Sequence, residues 1–260
     1  MKKLLNKLKF HLFPATIPEK PITVVVASYN NKQWYKKNLD SIFSQKYTNY
    51  KVIYLDDCST YGTASLVEEY AKTQSHRFTL IKNKENMGAT YNRYTGSMQA
   101  DKESIVIIID GDDWLSNNKV FQFINKIYSI SNTWVTYGQF RRYPTGEVGH
   151  CKKLDQNMNF RSIDQWYASH LRTYYAWLFH QINPTDLTYK DKFLSLSGDA
   201  AEMLPMLEMA RGHIKFISKT LYIYNQATEL NDFKCYPKEQ VEMFEWIKSK
   251  PAYKPISRVD

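Results

Sequence analysis

Apolar residues come in two rhythms along this chain. Short unbroken runs at 22–27, 50–55, 78–82 and 105–109 alternate with stretches in which apolar side chains recur every three or four positions. Runs this short, bounded by polar residues, suit strands buried on both faces of a parallel sheet. The recurrent stretches read as helices over 32–45, with Trp34, Leu39, Ile42 and Phe43 at helical spacing, and over 64–73 and 120–130. A further helix opens at Asn86-Met87-Gly88 and runs to about Gln99. Residues 133–137 and 214–217 read as later strands, and 237–248 as a closing amphipathic helix. Strand alternating with helix predicts an α/β fold, a mostly parallel sheet with right-handed crossovers and helices on its faces. The polar clusters SYN, DDCST, NMG and DGDD then gather at one sheet edge. That is the edge where open α/β sheets bind ligands.

The first twenty residues stand outside this rhythm. Leu4, Leu5, Leu8 and Leu12 fall on one helical face, and Lys2, Lys3, Lys7 and Lys9 lie around the other. Such a segment either rests on an anionic membrane surface or packs on the body as a first helix. Its lysines interrupt any signal-peptide core, which argues against secretion. Pro14, Pro18 and Pro21 then form a linker. The expected organisation is a basic segment and linker at 1–20, a ligand-binding α/β half at 21–137, a second half at 138–235, and a helix and tail at 236–260.

Composition narrows the class. In 260 residues, 43% apolar and 15% aromatic content marks a folded protein. The net charge of +9 favours an anionic partner: nucleotide phosphates, a membrane surface or nucleic acid. Cys58, Cys151 and Cys235 are odd in number and lack CxxC spacing, which argues against a disulfide scaffold or zinc site and for a reducing, cytoplasmic setting. No apolar run approaches the roughly 18 residues of a membrane span.

The densest chemistry lies at the end of the 105–109 run, where Asp110, Asp112 and Asp113 follow directly. Carboxylates crowded this tightly raise one another's pKa unless a cation sits among them. Oxygen ligands without a Cys or His cluster favour Mg²⁺ or Mn²⁺ over zinc. The plain alternative is an acidic turn leading into the helix that starts near Ser116-Asn117-Asn118.

The ordered segments PITVVVASYN, VIYLDDCST, NKENMGATYNRYTG and IIIDGDD, covering 21–115, together resemble the nucleotide-sugar half of a family 2, GT-A-fold inverting glycosyltransferase. That resemblance implies a nucleoside diphosphate sugar donor, UDP-linked, and a hydroxyl acceptor on a glycan, lipid or protein. It implies that Ser28 and Tyr29 line the nucleotide pocket and that Asp57, with Asp56 as the alternative, reads a uracil-type imide N–H. Asn86 and Arg93 match the N-x-G and R-x-x-G elements, Arg93 serving the donor nucleotide or diphosphate. Asp110 belongs to the ribose and metal shell, Asp112 ligates a divalent cation, and Asp113 is a second-rank neighbour that chain alternation could point away. Asp199, in FLSLSGDAAEML, matches the general base that takes the acceptor proton; a helix cap is its bland reading, and Glu202 the alternative base. His213 is a candidate late metal or phosphate contact, or a surface turn residue. Two departures stand out: Cys58 occupies a usual Gly position, and Gly198 replaces the first acid of the family's E-D motif. By the same resemblance, 21–137 binds the nucleotide sugar and 138–235 the acceptor, with the aromatic segment from Trp166 to Phe179 either facing that acceptor or packing as an ordinary helix.

Rival readings fare less well. A dinucleotide oxidoreductase needs G-x-G-x-x-G after the first strand, and a sugar-nucleotide pyrophosphorylase a Gly-rich basic signature there; SYNNKQW has no glycine. A nucleic-acid module would not place three aspartates at its binding edge, so no nucleic-acid partner is expected. The different-class alternative is a catalytically silent nucleotide- or carbohydrate-binding domain of the same fold, which would not hydrolyse a donor.

Overall fold

The structure is a computed structural model, and it describes residues 17–228 and 236–257. The expected basic segment therefore lies almost wholly outside the described residues. Four strands, β1 (Ile22–Ser28), β2 (Tyr50–Asp56), β3 (Phe78–Lys82) and β4 (Ile105–Asp110), pair in parallel in the order β3-β2-β1-β4. The helices between them are α1 (Tyr35–Phe43), α2 (Thr63–Ala71) and α3 (Ala89–Met98). The unbroken apolar runs have a simple cause: alternate residues face opposite layers, and both layers are dry. Val24, Val26, Ile107 and Ile109 pack toward Leu39 and Ile42 of α1 and toward Phe121 and Ile124 of α4 (Val120–Ile130). Val25, Val106 and Ile108 pack on the other side, with Met203, Leu204 and Leu207 of α6 (Gly198–Met209).

Beyond β4 the sheet continues through elements the sequence marks faintly. A two-residue strand, β5 (Trp114–Leu115), precedes α4; β6 (Val135–Tyr143) and β7 (Thr173–Tyr175) follow, then a four-residue helix α5 (Ala176–Phe179). The segments β8 (Thr188–Tyr189) and β9 (Lys192–Phe193) form a separate small hairpin. After α6 come β10 (Ile214–Asn225) and α7 (Pro237–Ser249). The eight-stranded order is β3-β2-β1-β4-β7-β6-β10-β5. Strand β7 runs antiparallel between β4 and β6, and β10 lies parallel to β6.

The aromatic segment is thereby corrected: its middle is a central strand, with Tyr174, Leu178 and Phe179 fully buried in the core. The helix expected from 86 starts only at Ala89, because Gly88 has φ +85° and interrupts the helical path. The strand expected at 214–217 extends to Asn225, since LYIYN continues it past irregular pairing near Thr220. Among the described residues, no helix is long and apolar enough to cross a membrane.

Candidate active site

The carboxyl ends of β1, β2 and β4 and the amino ends of α3 and α6 meet at one place. Asp110 ends β4 and is half-buried, its side chain 25% exposed. A Cβ at Gly111 would stand 2.6 Å from the Ser28 Cβ, so the DGDD turn can press against β1 only with glycine there. The turn's backbone is held by fully buried Asn38 of α1, whose Nδ2 donates to the carbonyls of Asp110 at 3.0 Å and Asp113 at 2.7 Å. Ser28 is buried, accepting from the Tyr54 hydroxyl at 2.8 Å; Tyr29 beside it is half-buried.

Strand β10 clamps the same turn from the far side. The Tyr222 hydroxyl accepts from the Asp110 N–H at 3.1 Å and donates to Asp113 Oδ2 at 2.7 Å, while the Asn225 N–H donates to Asp113 Oδ1 at 2.7 Å. Asn225 Nδ2 also donates to the Asp112 carbonyl. Burial, then the charges of Asp112 and Asp110, push the Asp113 carboxyl well above the usual carboxylate range. Tyr222→Phe is expected to cost about 1–3 kcal/mol in urea denaturation, because it leaves a buried carboxylate oxygen and a backbone N–H without their partner. A cost near zero would mean that water replaces the hydroxyl.

Two arginines flank Asp110. Arg93 of α3 places Nη1 3.8 Å from Asp110 Oδ1 and commits its Nε to Glu202 Oε1 at 2.8 Å. Burial opposes its charge, yet Glu202, Asp110 and Asp199 prevail and raise its pKa further. Burial likewise raises the Glu202 carboxyl, although Arg93 and Arg172 pull it back. Arg172, just before β7, is 1% exposed with Nη2 3.7 Å from Asp110 Oδ2. His170 lies two residues earlier, its ring stacked on Tyr222 at 4.5 Å and its basicity lowered by burial and by Arg172. Ligand atoms of Asp110, Asp113 and His170 lie within 4.8 Å of one another. This oxygen-oxygen-nitrogen set fits a divalent cation, and a neutral imidazole is the form that can ligate one.

Asp199 stands in the first turn of α6, half-buried, and among the described residues its carboxylate makes no hydrogen bond. Its charge is felt by Arg93, His170 and Glu202. The cap position belongs to Ser197. A Cβ at residue 198 would overlap Thr90 Oγ1 and come within 2.7 Å of Arg93 Nη2, which is why this helix opens with glycine rather than an acid.

The remaining candidates are scattered. Asp57 is buried, its carboxylate accepting from Asn83 Nδ2, Met87 N and Gly88 N at 2.8 Å each. Asp56 accepts from the Ser59 N–H and keeps Oδ1 buried without a partner. Cys58 adopts φ +61°, so the chain keeps the left-handed turn without the usual glycine. Asn86 is exposed on the approach to α3. His213 is not brought to this edge: it precedes β10 at the opposite end of the strands, stacked on Trp134 at 3.8 Å. The histidine that reaches the acidic turn is His170, with Arg172 two residues on; the sequence leaves both as alternative donor-phosphate contacts within the aromatic segment rather than as assigned site residues. Both precede β7 in a segment that bends at His170 and Leu171, so no strand periodicity marks them in the sequence.

The family model "Glycosyl transferase family 2" matches residues 23–181, more than half of the chain. The chain belongs to glycosyl transferase family 2. Glycosyltransferase GlyA of Streptococcus pneumoniae serotype 4 is 33% identical over 106 residues, which is 41% of this chain but 15% of GlyA. Among solved structures, S. aureus TarS 1-349 in complex with UDP-GlcNAc superposes with a TM-score of 0.67 at 20% identity, covering 87% of this chain and 65% of TarS 1-349. Mannosyltransferase PcManGT from Pyrobaculum calidifontis, in complex with GDP-Man and Mn²⁺, gives 0.61 at 17% identity, covering 90% and 66%. These likenesses establish the GT-A fold for this family 2 chain, which spans only part of each relative.

Proposed function

We propose that this chain is a metal-dependent, inverting glycosyltransferase that moves a hexose from a nucleoside diphosphate sugar, UDP-linked, to a hydroxyl of a glycan, lipid or protein acceptor. One observation carries the reading: carboxylates from two elements act on the same flanking residues, Arg93 and His170, at this sheet edge. The DGDD turn is one element, held from three sides, and α6 is the other, its Asp199 with no hydrogen bond of its own among the described residues. Ser28, Tyr29, Asp57 or Asp56, Asn86 and Arg93 are assigned to the nucleotide side, and the region after 138 to the acceptor.

A divalent ion, Mn²⁺ or Mg²⁺, would be held by Asp110, Asp113 and His170, with Asp112 at the rim of the same turn. When bound it would supply Lewis-acid screening of the donor diphosphate. The names of the solved neighbours support this choice, one carrying UDP-GlcNAc and another GDP-Man with Mn²⁺. Asp199 takes the proton of the acceptor hydroxyl as its oxygen attacks the anomeric carbon. The bond from that carbon to the phosphate oxygen breaks, and its electron pair leaves with the nucleoside diphosphate. Attack from the face opposite the leaving group inverts the centre.

The test is thermal stabilisation across a panel of nucleotide sugars with and without Mn²⁺, followed by release of nucleoside diphosphate. Binding raises apparent stability by roughly 2.7 kcal/mol at a hundredfold excess over Kd. Metal-dependent stabilisation and slow donor hydrolysis are the expected results. Stabilisation without any hydrolysis or transfer would favour a silent binding domain.

A further inference from the structure

The guanidinium of Arg172 is a buried cation at this edge with two nitrogens that the described residues leave without a hydrogen-bond partner. The side chain is 1% exposed, and its Nε and Nη1 are fully buried with no hydrogen-bond partner. Its nearest anion, Asp110 Oδ2, stands 3.7 Å from Nη2, beyond hydrogen-bond reach. Asp110 is also shared, since Arg93 approaches its other oxygen at 3.8 Å. The contrast with Arg93 is instructive: Arg93 has Glu202 at 2.8 Å and is a completed ion pair, whereas Arg172 has no such counterpart. Burying a cation without acceptors is costly. A guanidinium in this condition is a receptor for oxygen atoms that arrive from outside.

Its position says which oxygen atoms. Arg172 immediately precedes β7 and His170 stands two residues before it, and both reach the Asp110 carboxylate, Arg172 through Nη2 and His170 through a ring nitrogen within 4.8 Å. His170 joins Asp110 and Asp113 in the candidate ion site and feels the charge of Asp199. Arg172 lies beside the ion site through Asp110 and is near enough to α6 for its charge to act on Glu202. Resting on the donor assignment made above, the group at that point is the phosphate bonded to the sugar. We infer that Arg172 binds the sugar-linked β-phosphate of the donor, adding a fixed cation to the side of the diphosphate away from Arg93. A planar fork with several N–H donors matches phosphate geometry. It would act on the departing diphosphate as negative charge builds on the phosphate oxygen.

The experiment compares UDP with UMP, which lacks the β-phosphate, by calorimetric titration in saturating Mn²⁺. The proteins are the full chain, Arg172→Met and Arg172→Lys, with the melting temperature and circular dichroism of each recorded. For Arg172→Met, UDP affinity is expected to fall about 10- to 50-fold, in line with the loss of a charge-assisted hydrogen bond. UMP affinity is expected to stay within twofold of the parent. Arg172→Lys should fall between them, because it keeps the charge and loses the fork. An equal loss for UDP and UMP would make Arg172 a structural residue, and unchanged affinities would mean that water satisfies it; either overturns the inference. If Arg172→Met does not fold, the lysine variant's UDP-to-UMP ratio decides alone, an unchanged ratio overturning the inference. A parent chain that binds neither UDP nor GDP removes the donor assignment and the inference with it.

Discussion

An Asp110→Asn variant should lose transfer by about a thousandfold, or roughly 4 kcal/mol of transition-state stabilisation, and should lose the Mn²⁺ dependence of nucleotide binding. Asp110 is the group on which the site's charges converge. It ends β4, faces Arg93 with one oxygen and Arg172 with the other, and shares ligand distance with Asp113 and His170. Asparagine preserves the shape and both backbone hydrogen bonds of the residue, since Tyr222 and Asn38 bind its N–H and C=O. What it removes is the negative charge. Two buried guanidinium groups are then left against fewer anions, so a modest fall in stability should accompany the loss of activity. The decisive measurement is nucleoside diphosphate titration with and without Mn²⁺. An Asp110→Asn protein that still binds UDP more tightly with Mn²⁺, by the parent's ratio, would remove Asp110 from the ion site. Asp112→Asn and Asp113→Asn, measured alongside, separate the carboxylate at the rim from the one clamped by Tyr222.

The parallel half of the fold could be read from residue pattern because its strands are buried on both faces. A run such as 105–109 has no polar position to hide, and the polar residue that ends it marks the sheet edge. The DGDD turn was visible for the same reason. What the sequence concealed was β7. Its three residues are flanked by aromatic and basic side chains that suit a helix or a sugar-binding surface equally well, and a three-residue strand gives too little period to decide. Pairing on both sides, with β4 and with β6, makes it a strand, and that is a tertiary cause. His170 and Arg172 stay undecided in the sequence by the same ambiguity, as phosphate contacts or ordinary packing residues, since their place at the acidic turn depends on the direction of β7. His213 failed differently. A histidine near the start of a late strand looks the same in sequence at either edge of a sheet, and only the direction of β10, parallel to β6, sends it to the far one.

Asp199→Asn should leave UDP and donor affinity within about twofold of the parent while lowering transfer by about 10²- to 10⁴-fold, the range associated with a positioned general base. The two candidate bases among the three acids of α6 have different surroundings, while the third, Glu208, is paired with Arg161. Glu202 is 1% exposed and bound by Arg93 Nε, so its lone pairs face a guanidinium inside the protein. Asp199 is one turn earlier, half-buried, and among the described residues it accepts no hydrogen bond. A base must have an oxygen free for the acceptor hydroxyl, and of these two Asp199 is the more exposed and is not hydrogen-bonded to a guanidinium. The two variants should therefore fail differently. Glu202→Gln should lower the melting temperature by loosening Arg93, with activity falling only in step with folding. Asp199→Asn should melt near the parent temperature and still release nucleoside diphosphate slowly to water, because the donor side is intact. Transfer near the parental rate in Asp199→Asn would reduce Asp199 to a helix-end carboxylate that favours the N-terminus of α6. A kcat loss in folded Glu202→Gln would then move the base one turn along the helix.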